Sequence, residues 1–226
     1  MMAASKRTAR LVGAFFLFSN VVFIVGAIVF LEPILSASDY LAQVSAGRGQ
    51  VVLGALLELS NAFAYLGIGV LMFPIFKKRF ESLALAYVGF RVLEFVAQII
   101  SDLSPLALLT LSEAFVNNGG VDPSAYQAAG QALLASREWA FQMVSITFGS
   151  GAILFYIMLY RQKLIPRFIS IWGLVGAAAV LVNTVFDMFA VTIPNLGFLM
   201  LLNEVFLGLW LIVKGFDQPA GIETQA

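Results

Sequence analysis

Six apolar runs, each long enough to cross a lipid bilayer as a helix, leave this chain few folds to choose from. A helix needs about 20 mostly apolar residues to traverse the ~30 Å hydrocarbon core. The runs are Leu11–Leu31, Val51–Phe73, Leu83–Leu103, Trp139–Tyr160, Phe168–Phe189 and Leu196–Val213. They are continuous rather than alternating, which predicts helices and not the roughly ten-residue strands of a membrane barrel. The remainder of the chain cannot offset so much apolar surface in water. Of 226 residues 61% are hydrophobic and 12% charged, with a mean hydropathy of +0.94. Soluble domains are about 45–50% apolar and roughly a quarter charged. The expected fold class is therefore all-α, a polytopic membrane bundle of six transmembrane helices. Residues 7–214 are expected to form one domain, with 215–226 a disordered cytoplasmic tail.

The basic residues give this bundle a direction. Lys6, Arg7 and Arg10 precede the first run, and Lys77, Lys78 and Arg79 join the second to the third. Arg161, Lys163 and Arg167 join the fourth to the fifth, and Lys214 follows the sixth. Ten of the thirteen Lys and Arg residues thus fall on one side. Arg48 and Arg137 fall on the other, with Glu32, Asp39, Glu113 and Asp122. The positive-inside rule makes the first side cytoplasmic, with both termini there. The first run follows basic residues as a cleaved leader would, but its length exceeds the 7–15 apolar residues usual in leaders, so it reads as a retained anchor.

The connections are short. Ser36–Ala46 has helical periodicity and is expected along the outer surface. Asn117–Gly120 reads as a turn, and Asp122–Pro123 as a helix start, with an oxygen-bearing residue before a first-turn proline. A short helix is expected from Pro123 to about Ala135, leading into the fourth run. Pro105 is expected to kink or end the third run, with continuation past it left open, and Pro74 and Pro166 to mark span boundaries. Gly173, Gly176, Ala177 and Ala179 allow close backbone approach.

Polar residues inside these runs are the candidates for function. Arg91, Glu94, Gln98 and Asp102 fall within an arc of about 80° on one helical face, a stripe roughly 16 Å long. Facing lipid, a charge at mid-membrane costs about 2.5–3.5 kcal/mol, so the stripe should face the bundle. Glu58 and Asn61 share a face of the second run. Arg137 and Glu138 open the fourth, with Gln142 one turn on; Asn183 and Asp187 lie one turn apart in the fifth; Asn203 and Glu204 sit near the middle of the sixth. Six acids (Glu58, Glu94, Asp102, Glu138, Asp187 and Glu204) face only Arg91 and Arg137, so pairing alone leaves carboxyls over. The expectation is an outward-biased, acid-rich cavity among spans two to six. The bland alternative is that these side chains simply tie helices together, at about 0.6 kcal/mol per contact.

The chain has no cysteine and no histidine. That excludes disulfides, thiolate catalysis, imidazole ligands and Ser-His-Asp chemistry from this sequence. A net charge of zero argues against a nucleic-acid partner.

The stretches ARLVGAFFLFSNVVFIVG, FRVLE and IPRFISIWGLVGAAAV together resemble a bacterial six-span family, domain-of-unknown-function family 4386. The likeness covers roughly residues 7 to 212. It implies an integral membrane protein of a prokaryotic cell envelope, carries over no activity, cofactor or catalytic residue, and the bacterial inner membrane is the expected location. Three readings follow: binding or transport of a small solute, ion or proton; a carboxylate-based intramembrane enzyme acting on a lipid; and a non-catalytic accessory protein. The bilayer itself is the one partner expected of all three. No cofactor or metal site is predicted, and the oligomeric state is not legible.

Overall fold

The computed structural model describes residues 2–217. Among the described residues it is helical throughout, with no strand. Helix α1 (Met2–Phe23) continues through a π-helical stretch (Ile24–Leu31) into α2 (Glu32–Leu35). There follow α3 (Tyr40–Ala46), α4 (Arg48–Phe76), α5 (Glu81–Asn117), α6 (Pro123–Gln162), α7 (Arg167–Met188) and α8 (Phe198–Val213). Among the described residues, five segments are long and apolar enough to span a bilayer: Lys6–Leu35, Arg48–Phe76, Glu81–Asn117, Pro123–Gln162 and Arg167–Met188. The chain is a multi-pass membrane protein by the hydropathy of these helices.

Polarity is inverted relative to a water-soluble protein. Only 28% to 44% of the apolar window of each span is buried. Large apolar side chains such as Leu56, Val70, Leu103 and Val213 stand exposed, while Glu58, Arg91, Glu94, Gln98, Asp102, Asn203 and Glu204 are buried. A soluble monomer rarely exposes so much contiguous apolar surface. With hydrocarbon outside, the burden is on polar groups to find partners within.

The sixth expected span is only partly recovered. Helix α8 has 16 residues, about 24 Å at 1.5 Å per residue, short of the ~30 Å hydrocarbon thickness. Its start is delayed because Val191–Leu196 is not helical. The Asn183 side chain holds that connection, donating to the Pro194 carbonyl at 3.0 Å and accepting from the Leu196 N–H at 3.0 Å.

Two further expectations are resolved. Helix α5 does not end at Pro105 but runs through it for 37 residues in all. The expected short helix after Pro123 is not separate: it merges with the fourth run into the 40-residue α6. The turn before it forms where glycine permits, Gly119 and Gly120 taking φ of 65° and 72°. The surface segment folds as the short α3, which buries Tyr40, Leu41 and Val44. Of the expected tail, Asp217 donates its N–H to the Leu164 carbonyl at 2.7 Å; residues 218–226 lie outside the described residues.

The chain divides into two compact units. The first comprises residues up to 18, 64–92 and from 145 onward. Its core is aromatic, with Phe155 against Phe16, Phe76, Tyr87 and Tyr156 at ring separations of 5.7, 5.7, 5.4 and 5.2 Å. Gly173 admits the Tyr156 ring, since any Cβ there would overlap it. All ten basic residues of the connections and ends belong to this unit.

The second unit comprises residues 19–63 and 93–144. Its core joins Leu31, Ile34, Tyr40, Leu41, Val44, Val51, Leu108 and Leu109. The π-helical stretch crosses α4 closely at Gly26, where a methyl would stand 2.8 Å from Leu57 Cβ and 3.0 Å from the Gly54 carbonyl oxygen. At the surface of this unit Arg48 pairs with Glu113.

Candidate functional site

In the second unit, three helices bring one polar side chain after another to the same place. Glu58 comes from α4, Gln98 and Asp102 from α5, and Arg137 from α6. The Arg137 guanidinium donates from one nitrogen to both oxygens of Glu58, at 2.8 and 2.9 Å. Its other terminal nitrogen, Nη1, stands 3.7 Å from Asp102 Oδ1. Gln98 lies one turn before Asp102 and donates to its Oδ1 at 2.9 Å, with Glu58 Oε2 at 3.5 Å from the same nitrogen. Gln98 and Arg137 thus each approach both carboxyls. Glu58 is 1% exposed and Asp102 6%.

This network is not saturated. Asp102 Oδ2 and Arg137 Nη1 are buried without a hydrogen-bond partner in the protein, as are Asn61 Oδ1 on α4 and Gln142 Oε1 on α6. Buried polar atoms are nearly always paired, and each exception calls for a reason. Charge adds to the case. Two acids share one arginine, so with both ionised the network carries one negative charge in excess. Among the described residues no three acidic side chains converge as a metal cage.

Asp102 also borders an apolar cleft of about 240 Å³ between α4 and α5. The rest of its lining is Val52, Ala55, Leu56, Leu59, Ile99, Leu103 and Leu106. At the cleft's rim Leu56 is 53% exposed and Leu103 59%.

The first unit holds a different arrangement. Arg91 on α5 is buried with its guanidinium 5.0, 5.2 and 5.4 Å from the ring centres of Tyr65, Tyr87 and Phe148. Gly69 leaves room for its stem: a methyl there would lie 3.1 Å from Arg91 Cγ. Cation–π contacts are worth about 0.5–2 kcal/mol each, more when desolvated, so three rings go far towards holding this charge in place. The Tyr65 hydroxyl donates to Glu204 at 2.6 Å. The Tyr156 hydroxyl donates to Asn203 Oδ1 at 2.6 Å, and Asn203 Nδ2 donates to the Ile169 carbonyl at 3.0 Å. The Tyr65–Glu204 bond and the Tyr156–Asn203–Ile169 chain stitch helices together and need no ligand to explain them.

Seven of the thirteen residues singled out in the sequence fall in two networks, one in each unit. Glu58, Gln98, Asp102 and Arg137 meet in one; Arg91, Asn203 and Glu204 take part in the other. Glu94 is buried in the second unit. Asn61 and Gln142 are half-buried there, Asn183 serves the α7–α8 connection, and Glu138 and Asp187 are exposed. Sequence reasoning missed Tyr87, Phe148 and Tyr156. With 6 tyrosines and 21 phenylalanines in the chain, nothing marks the few that receive a charge or a hydrogen bond.

The family described as Domain of unknown function (DUF4386) matches residues 11–215. The chain belongs to this family. No curated protein and no solved structure matches it.

Proposed function

We propose that this DUF4386 membrane protein binds a proton at the Glu58–Asp102 carboxyl pair, as the ion-binding element of a protein that takes up or moves a small solute. The observation that carries the reading is the excess acid in the α4–α5–α6 network, together with the lone oxygen Asp102 Oδ2. Two carboxyls that share one guanidinium and one amide cannot both hold a charge cheaply in a low-dielectric site, and a proton on one of them removes the repulsion. That proton gives the pair a donor where both carboxylates could only accept. Arg137 then neutralises the one remaining charge. A divalent cation is less well served, because Ca²⁺ and Mg²⁺ need about six oxygen ligands, and one of these two carboxylates is already held by a guanidinium.

The site lies in a membrane we take to be the bacterial inner membrane. The ten basic residues at the ends and connections support, by the positive-inside rule, a reading with both termini in the cytoplasm and the connections at 36–47 and 118–122 outside. Because the chain has no cysteine, a single Cys at Lys78 or at Asn118 can be labelled from either side of intact cells. Labelling of Lys78→Cys from outside overturns the orientation.

The proton site is tested by infrared difference spectroscopy of the reconstituted protein between acid and alkaline conditions. A protonated-carboxyl C=O band is expected in the native protein and in the exposed-residue control Asp187→Asn, and is expected to be lost in Asp102→Asn. A band unchanged in Asp102→Asn overturns the proposal.

A further inference from the structure

We infer that Arg79 and Arg161 hold the phosphate of an anionic glycerophospholipid beside the Phe80 ring, at the end of the first unit where the α4–α5 turn meets the last turn of α6. The inference uses other residues than the proton site and does not depend on it.

The turn is fixed by its backbone. Helix α4 ends at Phe76, and the Phe76 carbonyl accepts from the N–H groups of Arg79 and Phe80 at 3.2 and 3.0 Å. The side-chain amide of Gln162, the last residue of α6, donates to the same oxygen at 3.4 Å. One carbonyl thus draws two chain connections together. From these anchors Arg79 and Arg161 converge on a single ring, their guanidinium carbons 5.7 and 5.8 Å from the centre of Phe80. Two like charges brought to one ring repel each other. Among the described residues neither arginine has an ion-pair or side-chain hydrogen-bond partner. Glu81, which opens α5, is exposed and pairs with neither. A cation near a helix C-terminus is favourable by itself, and that accounts for Arg161 in the last turn of α6. It does not require arginines from two connections to share one ring.

The ligand class follows from the donors. A guanidinium presents a planar fork of N–H groups that matches phosphate oxygens. Contact with a ring orders the side chain while leaving such donors over. The source of the phosphate follows from the surface alongside. Leu85, one turn beyond Glu81, is 65% exposed, and Val70 on α4 is 59% exposed. In a membrane protein these side chains meet acyl chains, so the basic helix ends lie at headgroup depth, where clustered Lys and Arg recognise anionic heads. Lys77, Lys78 and Lys163 are exposed in the same two connections, and they disfavour a zwitterionic head, which would add an ammonium to the cluster.

The test titrates the full chain, stripped of lipid in dodecyl maltoside micelles, with dioctanoyl phosphatidylglycerol and counts bound lipid by native mass spectrometry. The expected result is a saturable site that binds this lipid about tenfold or more tighter than dioctanoyl phosphatidylcholine. Arg79→Gln/Arg161→Gln should weaken it about twenty- to thirtyfold, each basic residue at an anionic surface being worth about fivefold. Lys6→Gln/Arg7→Gln removes two exposed basic residues elsewhere in the same unit and should change binding by less than about threefold. All four positions are exposed, so neither pair removes a core side chain. Phosphatidylglycerol bound no better than phosphatidylcholine overturns the inference. So does an equal loss in the two paired variants, which would assign the binding to the general field of the basic residues. If inorganic phosphate at the same concentration displaces the lipid, the arginines take a free anion and the lipid assignment falls.

Discussion

Replacing Arg137 with leucine isolates what the three-helix network contributes to folding. The substitution removes two charge-assisted hydrogen bonds at 2.8 and 2.9 Å and strands Glu58, which is 1% exposed. In soluble proteins, deleting one partner of a buried ion pair costs about 3–5 kcal/mol. Inside membranes single hydrogen bonds average about 0.6 and reach about 1.7 kcal/mol, because the unfolded helices also find partners. Two strong bonds at the upper membrane value and the lower end of the soluble range meet near ~3 kcal/mol. That is roughly a hundredfold in the folding equilibrium, at about 1.4 kcal/mol per tenfold. Glu58→Leu should cost less, about 1–2 kcal/mol, because Arg137 is 15% exposed at its side chain and already 3.7 Å from Asp102. The double variant Glu58→Leu/Arg137→Leu should return to within about 1 kcal/mol of the native protein, since replacing both members of a buried pair by apolar groups is often neutral. Reversible unfolding in mixed micelles of rising dodecyl sulfate fraction, followed by far-ultraviolet circular dichroism, measures all three. The reasoning is refuted if Arg137→Leu alone lies within about 0.5 kcal/mol of native, a surface-like effect, or if the double variant costs the sum of the singles.

Three other outcomes follow from the packing. Gly173→Ala puts a methyl into the Tyr156 ring, displaces the Tyr156–Asn203 hydrogen bond and should cost about 1–3 kcal/mol in the same assay, whereas Gly89→Ala, with nothing within 4 Å, should not destabilise. Asn183→Ala frees the Pro194 carbonyl and the Leu196 N–H, so limited proteolysis should cut the α7–α8 connection several-fold faster, with α4 and α5 unaffected. Burial raises the Tyr40 phenol above its usual value, partly offset by a hydrogen bond with the Gln131 side chain. A raised folded-state value means the contribution is complete below about pH 10 and is lost as pH climbs through the folded value. Tyr40→Phe should therefore show a shallower alkaline loss of stability, at the expense of the bond from Tyr40 to the Gln127 carbonyl at 3.1 Å.

The helices were legible because a bilayer imposes one demand on every span, a long apolar run, and Leu11–Leu31, Val51–Phe73 and Leu83–Leu103 meet it without ambiguity. The same periodicity put Arg91, Glu94, Gln98 and Asp102 on one inward face, and all four are buried. Which partner each takes was not legible. A helical face gives direction but not the neighbour it meets, so one stripe on α5 feeds two networks. Of the alternatives open at Pro105, continuation holds: proline forfeits one N–H and disturbs one turn, and α5 retains its neighbouring turns on either side. Helix α8 was over-extended because Leu196 belongs by hydropathy to the span, while the Asn183 side chain ties its N–H to the preceding connection. The π-helical stretch left no trace in the sequence, since Ile24–Leu31 has the composition of any apolar span.

That stretch has a consequence for how the first span can change. A π turn accommodates one more residue than an α turn over the same rise, so Ile24–Leu31 acts as slack in an otherwise rigid rod. Deleting a residue there would tighten the coil locally, whereas the same deletion in α4 would swing every later side chain by about 100° and carry Glu58 away from Arg137. Length variation in this chain should thus be tolerated ahead of Glu32 and rejected between Val51 and Glu58, a pattern that indel scanning with a folding reporter would expose.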